Sequence, residues 1–266
     1  MKRCLPVPVD NGIYDRMSDA WWDGNSPLGL LRTKLGPVRF GYFRSILNRR
    51  RGANWRALQV LDVGCGGGLL AEDFAGLGCR VSGIDPSQLS LRTARSHARL
   101  SNLPISYQRA TGAHLPFRNS SFDVVLCCDV LEHVSDVAAV VLEISRVLAP
   151  GGIFFYDTIN ATFLSWLAVI RVAQEWRITR FMPAKLHDAE QFVKPRRLQR
   201  WMREYCLENQ ETRGISFRGN PIVILGRLIQ YKHGKIGLAK LADALHFRES
   251  RNTSVLYMGY ALKRGD

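Results

Sequence analysis

The run Val60-Leu61-Asp62-Val63-Gly64-Cys65-Gly66-Gly67-Gly68 constrains this chain more than any other segment. An apolar stretch ends in glycines, and a helical pattern begins at once over residues 69–77. Glycine takes positive φ without steric cost and lets a ligand lie against the main chain with no Cβ between them. At a strand-to-helix corner this suits a nucleotide-binding turn. A bare tight turn uses glycine too, so the surroundings decide.

From residue 57 onward short apolar runs alternate with helical stretches. Strands are expected at 57–64, 79–85, 104–110, 122–131 and 151–159, with helices at 69–77, 87–100 and 136–148. Buried parallel strands alternating with helices imply a doubly wound α/β sheet. Residues 13–50 read as helical, broken at Gly24-Asn25-Ser26-Pro27 and at Gly36-Pro37. After Asn160 an apolar stretch with arginines covers 161–183, and a strand is expected at 209–217. Two short helices are expected within 219–248, and a last strand at 254–263. The expected organisation is one domain over residues 1–266. It comprises a helical cap (13–56), a cofactor-binding core (57–160), an insertion facing substrate or membrane (161–204) and C-terminal strands with inserted helices (205–266).

Asp85 ends the strand after the glycine turn. In a βαβ nucleotide fold a carboxylate there accepts the hydroxyls of a ribose, whereas the plainer role is to cap the helix that follows. The loop reads GCGGG with Leu69-Leu70 next, so its third glycine comes too early for the dinucleotide pattern G-x-G-x-x-G. An acid two residues before the first glycine, in D-V-G-C-G-x-G, resembles motif I of class I methyltransferases. Further on the resemblance narrows. Trp21-Trp22-Asp23, LDVGCGGGLLAE, Leu131-Glu132-His133-Val134, Ala149-Pro150-Gly151-Gly152, His187-Asp188 and Phe192-Val193-Lys194-Pro195 occur in that order. Over roughly residues 14–201 the chain resembles the UbiG-like O-methyltransferases of ubiquinone biosynthesis.

That resemblance implies a Rossmann-like sheet of seven strands, mostly parallel with an antiparallel last strand and helices on both faces. It also implies S-adenosylmethionine as cofactor, carried by Asp62, Gly64, Cys65, Gly66, Asp85, Pro86, Thr111, Gly112 and Asp129. Many class I methyltransferases place an Asp near Thr111 for the adenine amine. This chain has none there, which leaves backbone groups at Thr111 and Gly112 for that task. Gly66→Val is expected to put a side chain where the cofactor must lie.

The expected acceptor is a phenolic or catecholic small molecule. A phenol with a pKa near ~10 must lose its proton for methyl transfer, so a base or a cation is needed. Asp129, Glu132 and His133 stand at i, i+3, i+4 after a central strand, and one helical turn would point them together. Two carboxylates and an imidazole make a divalent-ion site, with oxygen ligands favouring Mg2+. The resemblance implies Mg2+ as well, although Asp129 stands where Glu is usual. Alternatively, Asp129 contacts the cofactor's amino group while Glu132 and His133 cap a helix, or His133 acts as base. His187, in the insertion over the acceptor pocket, is a second candidate base. Asp157 and Asn160 either line the crevice or satisfy loop backbone.

The net charge is +14, with 46% hydrophobic and 23% charged residues. No apolar run reaches the ~20 residues of a membrane span, and MKRCLPVPVDNG lacks a signal-peptide core. A cytoplasmic protein is expected. Its six cysteines, Cys4, Cys65, Cys79, Cys127, Cys128 and Cys206, show no zinc spacing. Residues 163–182 mix Phe163, Leu164, Trp166 and Trp176 with arginines. Such a segment suits either an anionic lipid interface or a lid over the substrate. The resemblance implies a membrane-binding insertion there, fitting a polyprenylated acceptor. No nucleic-acid module is present, and a homodimer is compatible with the sequence. The competing classes are a C- or N-methyltransferase on the same fold and a non-catalytic cofactor- or lipid-binding protein.

Overall fold

The computed structural model describes residues 11–52 and 55–265. Cys4 and most of the leading segment lie outside the described residues. Eight strands form one sheet in the order β3-β2-β1-β4-β5-β8-β6-β7. They are β1 (Gln59–Val63), β2 (Arg80–Asp85), β3 (Ser106–Arg109), β4 (Phe122–Cys127), β5 (Leu148–Ile159), β6 (Leu207–Arg218), β7 (His246–Ser250) and β8 (Leu256–Lys263). The first five pair in parallel, while β8 runs antiparallel between β5 and β6. This is the expected fold with one more strand than foreseen, because residues 246–250 turn back along β6 as an edge.

Alternation along the strands builds the two cores, since successive side chains point to opposite faces. Val60, Val124, Leu126, Ile153, Phe155 and Met258 face one layer. That layer holds α3 (Gly36–Arg51), α4 (Leu69–Gly76) and α5 (Gln88–Leu100). Leu61, Val63, Val125, Cys127, Phe154 and Tyr257 face the other, which holds α6 (Val137–Val147) and α8 (Pro195–Glu204). The strands read as unbroken apolar runs because both faces are covered.

The cap begins with α1 (Gly12–Arg16) and a 3-10 turn, and crosses to α2 (Pro27–Leu30), where Ser26 caps the helix by accepting the Gly29 N–H at 2.8 Å. The expected break at Gly36-Pro37 does not occur. The chain widens into π-helical turns over Leu31–Leu35 and continues into α3, with Pro37 in the first turn, where its missing N–H costs nothing. In the insertion, α7 (Phe163–Ser165) passes into a π-helical stretch, Trp166–Glu175. No helix among the described residues is long and apolar enough to cross a membrane. Residues 219–248 give α9 (Pro221–Lys232) and α10 (Leu238–Ala242) as well as β7.

Candidate active site

A cavity of about 590 Å³ opens at the carboxyl ends of the parallel strands, where open α/β sheets bind ligands. The glycine turn forms its floor. Gly64 and Cys65 donate their N–H groups to the Ile84 carbonyl at 2.8 and 2.9 Å, which ties the turn to the end of β2. Gly64 and Gly66 have φ of +72° and +51°, a region that disfavours any side chain. The expected reason for Gly66 is corrected here. A Cβ there would collide with Trp21 at 2.4 Å, and one at Gly64 with Val130 at 2.3 Å, so the bare main chain admits neighbouring protein side chains.

Asp85 ties the glycine turn to the residue that precedes α5. Its Oδ2 accepts the Gly66 N–H at 2.9 Å and its Oδ1 the Ser87 N–H at 2.8 Å. Ser87, not Asp85, caps α5, through the Ser90 N–H. A carboxylate has about four lone-pair directions, so two remain for ribose hydroxyls. Burial pushes the Asp85 carboxyl up to about 6. Burial, and next the charge of Asp85, push Asp62 up to about 7. Asp62, Cys65, Pro86, Thr111 and Gly112 all line the cavity. The open carboxylate edge of Asp85 and the apolar wall of the cavity offer groups that suit S-adenosylmethionine.

The far end of the cavity holds Asp129 and His133. Here the expected helical turn is absent. Asp129 sits at φ +53°, its N–H is held by Asp157 Oδ1 at 2.9 Å, and a turn closes from the His133 N–H to the Val130 carbonyl at 2.9 Å. α6 begins only at Val137, capped by Asp136. Asp129, Glu132 and His133 therefore do not converge. Asp129 is instead paired with Arg39, whose Nε also lies 2.5 Å from Asp157. Burial alone would lower the Arg39 pKa, but the two carboxylates outweigh it and hold the guanidinium charged.

The group that does converge is Glu132, His133 and His187, with one donor atom from each within 4.8 Å of the others. Glu132 is buried and accepts the Thr158 hydroxyl at 2.6 Å. Its pKa is raised, first by burial and then by Asp129. Burial lowers His133 to about 4 and His187 to about 3, so both imidazoles are neutral at pH 7. Gln174 fixes the His187 tautomer. Its Oε1 accepts the backbone N–H of His187 at 2.8 Å and the ring Nδ1–H at 2.9 Å, while its Nε2 donates to the His187 carbonyl at 3.2 Å. Among the described residues nothing bonds to the His187 Nε2 lone pair. His133 Nε2 lies 3.0 Å from the Tyr14 hydroxyl, and its Nδ1 is buried with no partner among the described residues. Two imidazoles and one carboxylate are a donor set for transition-metal ions, whereas Mg2+ wants oxygen. These residues do not fit Mg2+.

Sequence reasoning missed Arg39 and Tyr14, whose partners lie far along the chain, and Gln174, whose partner lies 13 positions on across the insertion. Trp21 and Trp22 were read as part of the helical cap and through the resemblance, not as parts of a site. Trp21 covers the glycine turn and donates to Ser90 Oγ at 3.0 Å, while Trp22 donates to the Gly67 carbonyl at 3.0 Å. Asp157 and Asn160 serve loop backbone. Asn160 donates to the Thr253 carbonyl at 2.8 Å, and Asp157 holds Asp129.

Known proteins share these features. A methyltransferase-domain family profile matches residues 61–156. The ubiquinone biosynthesis O-methyltransferase of Methylocella silvestris is 37% identical over 79% of this chain and 85% of its own length. That of Thiobacillus denitrificans is 37% identical over 81% and 88%. An S-adenosylmethionine-dependent methyltransferase of Methanosarcina mazei, 18% identical, superposes over 83% of this chain and 98% of its own with a TM-score of 0.58, a likeness of fold.

Proposed function

This chain belongs to the ubiquinone biosynthesis O-methyltransferase family, and we propose that it methylates a phenolic hydroxyl with His187 as the base. It is an S-adenosylmethionine-dependent O-methyltransferase acting on a small phenolic molecule. When bound, the cofactor supplies an electrophilic methyl group on a sulfonium. Asp85 would take its ribose hydroxyls, and Asp129 and Arg39 its amino and carboxylate ends. The Thr111–Gly112 backbone would meet the base. The observation that carries the acceptor reading is the His187 Nε2, unbonded among the described residues, beside Glu132 and His133.

The remaining work falls to the chain itself. In-line displacement needs the acceptor oxygen held close, aligned and away from water. His187 accepts the phenolic proton at Nε2 in step with methyl transfer, while Glu132, which burial and Asp129 keep mostly protonated at pH 7, brings no fixed charge to the imidazolium that forms. Tyr14, kept protonated because burial raises its pKa, donates to His133 Nε2 and directs Nδ1–H toward the acceptor oxygen. Mg2+ at Asp129, Glu132 and His133 has no part in this reading, because Arg39 occupies Asp129.

A polyprenylated acceptor dissolved in lipid suits a protein that touches the bilayer from outside. Within 163–182, Phe163, Leu164, Trp176 and Ile178 are exposed beside Arg171 and Arg177. We take this segment as a peripheral contact with an anionic membrane.

The test incubates labelled S-adenosylmethionine and enzyme with a panel of catechols and polyprenylphenols, after chelation and again with Mg2+ or Mn2+ restored. Label in a catechol ether, with no gain from Mg2+ over the chelated enzyme, is the expected result. Label on carbon or nitrogen alone, or an absolute need for Mg2+, would contradict it.

A further inference from the structure

α9 is apolar on two sides, one turned inward and one turned outward. Its inner side packs Leu228, with Ile224 and Tyr231, against Leu238 and Leu241 of α10 and against Leu30 and Phe181. Its outer side carries Ile222, Leu225 and Ile229 at i, i+3, i+7, and these are 81%, 51% and 47% exposed. A surface helix normally turns charged residues to solvent at such positions. Residues 219–242 contain Arg227, Lys232, Lys235 and Lys240 and no Asp or Glu. Asp243, just beyond, pairs with Lys34 and Lys240, which leaves a surplus of cations. Aliphatic side chains on an outward face beside such a surplus have the composition of a helix lying in an anionic lipid interface.

Its position strengthens the argument. Lys232 Nζ donates to the Arg180 carbonyl at 2.6 Å, and Phe181 packs into the α9 cluster. The adjoining turn is closed by the Thr179 and Arg180 N–H groups on the Trp176 carbonyl, and it carries exposed Trp176 and Ile178 on either side of Arg177. The inserted helix therefore extends the exposed apolar segment of 163–182 instead of standing apart from it.

We propose that the outer face of α9, through Ile222, Leu225 and Ile229, inserts into the surface of an anionic phospholipid bilayer as a second membrane contact. This rests on the peripheral-membrane reading above and names an element which that reading does not use. Charge selects the occupant. A second copy of a chain with net charge +14 would bring cations against cations, whereas an anionic surface is attracted.

The experiment sediments the full chain with phosphatidylcholine vesicles, with and without phosphatidylglycerol. It compares the wild type with Ile222→Gln/Leu225→Gln/Ile229→Gln and with Arg177→Glu/Lys235→Glu. The triple variant is expected to partition at least about tenfold more weakly. The charge variant should lose the preference for anionic vesicles. Both should methylate a water-soluble catechol as the wild type does. Vesicle binding by the triple variant equal to wild type overturns the proposal. So does a wild-type dimer that ignores vesicles and is dissociated by the triple substitution. Absence of methyl transfer in wild type and variants alike, with vesicle binding still lost in the triple variant, refutes the catalytic reading and leaves α9's role standing.

Discussion

Arg39 lies between Asp129 and Asp157 with its side chain 5% exposed. A buried cation between two carboxylates adds little beyond a well-packed apolar residue, but removing it strands the buried Asp157 and the partly exposed Asp129. Arg39→Met is therefore expected to lower stability by about 3–5 kcal/mol in urea denaturation. A loss under about 1 kcal/mol would mean that the carboxylates had found other partners. His187 makes a prediction of the opposite kind. Its pKa falls from about 6.5 to about 3 on folding, because burial disfavours the imidazolium. Between those values the unfolded chain binds the additional proton, so stability falls as pH falls. Relative to His187→Asn, the wild type should lose up to about 1.4 kcal/mol per pH unit across that window. Parallel pH dependence of the two proteins would show that His187 protonates freely in the fold. Neither effect was legible beforehand. Arg39 is one of many arginines, and its meaning comes from partners 90 and 118 positions away.

At the scale of elements, the clearest departure from expectation is the turn after β4. Spacing of i, i+3, i+4 suggested one helical face, but a left-handed Asp129 ends any helix before it starts. The turn drops Glu132 and His133 toward the insertion, and His187 takes the place that Asp129 was expected to fill. Local spacing describes a helix only where φ permits one. The cap behaves as a cover over the glycine turn. Tyr14 stacks near Trp21, with centroids 6.0 Å apart, and Asp15 accepts the Ser87 hydroxyl at 2.5 Å. Trp21 is 8% exposed and fills the space left by Gly66 and Gly67. Trp21→Ala should cost about 3–5 kcal/mol by chemical denaturation and raise the KM for S-adenosylmethionine. An unchanged KM would mean that the cap contributes packing without shaping the cofactor site.

For the whole molecule, the alternation of apolar strands and helices carried the fold because parallel strands covered on both faces cannot hide their composition. β7 escaped notice because HFRES is an exposed edge whose burial shows no apolar alternation. The meeting of Asp85 with the glycine turn was legible because both belong to one local βαβ unit. The acceptor end was only half legible, since it joins the cap, the β4 turn and the insertion. The exposed apolar stripe of α9 belongs to this scale as well, because it is informative only once its inner face is known to be packed.

We propose two separate tasks, Asp85 gripping the cofactor within the cavity and His187, next to His133 of its wall, receiving the proton. Steady-state methyl transfer to a catechol by Asp85→Ala and His187→Gln tests that separation most directly. Asp85→Ala should raise the KM for S-adenosylmethionine by about 10- to 100-fold with kcat little changed. His187→Gln should lower kcat by about 10²- to 10⁴-fold with that KM near wild type. If His187→Gln turns over at the wild-type rate, or if both variants change only KM, proton removal is not the work of this cluster.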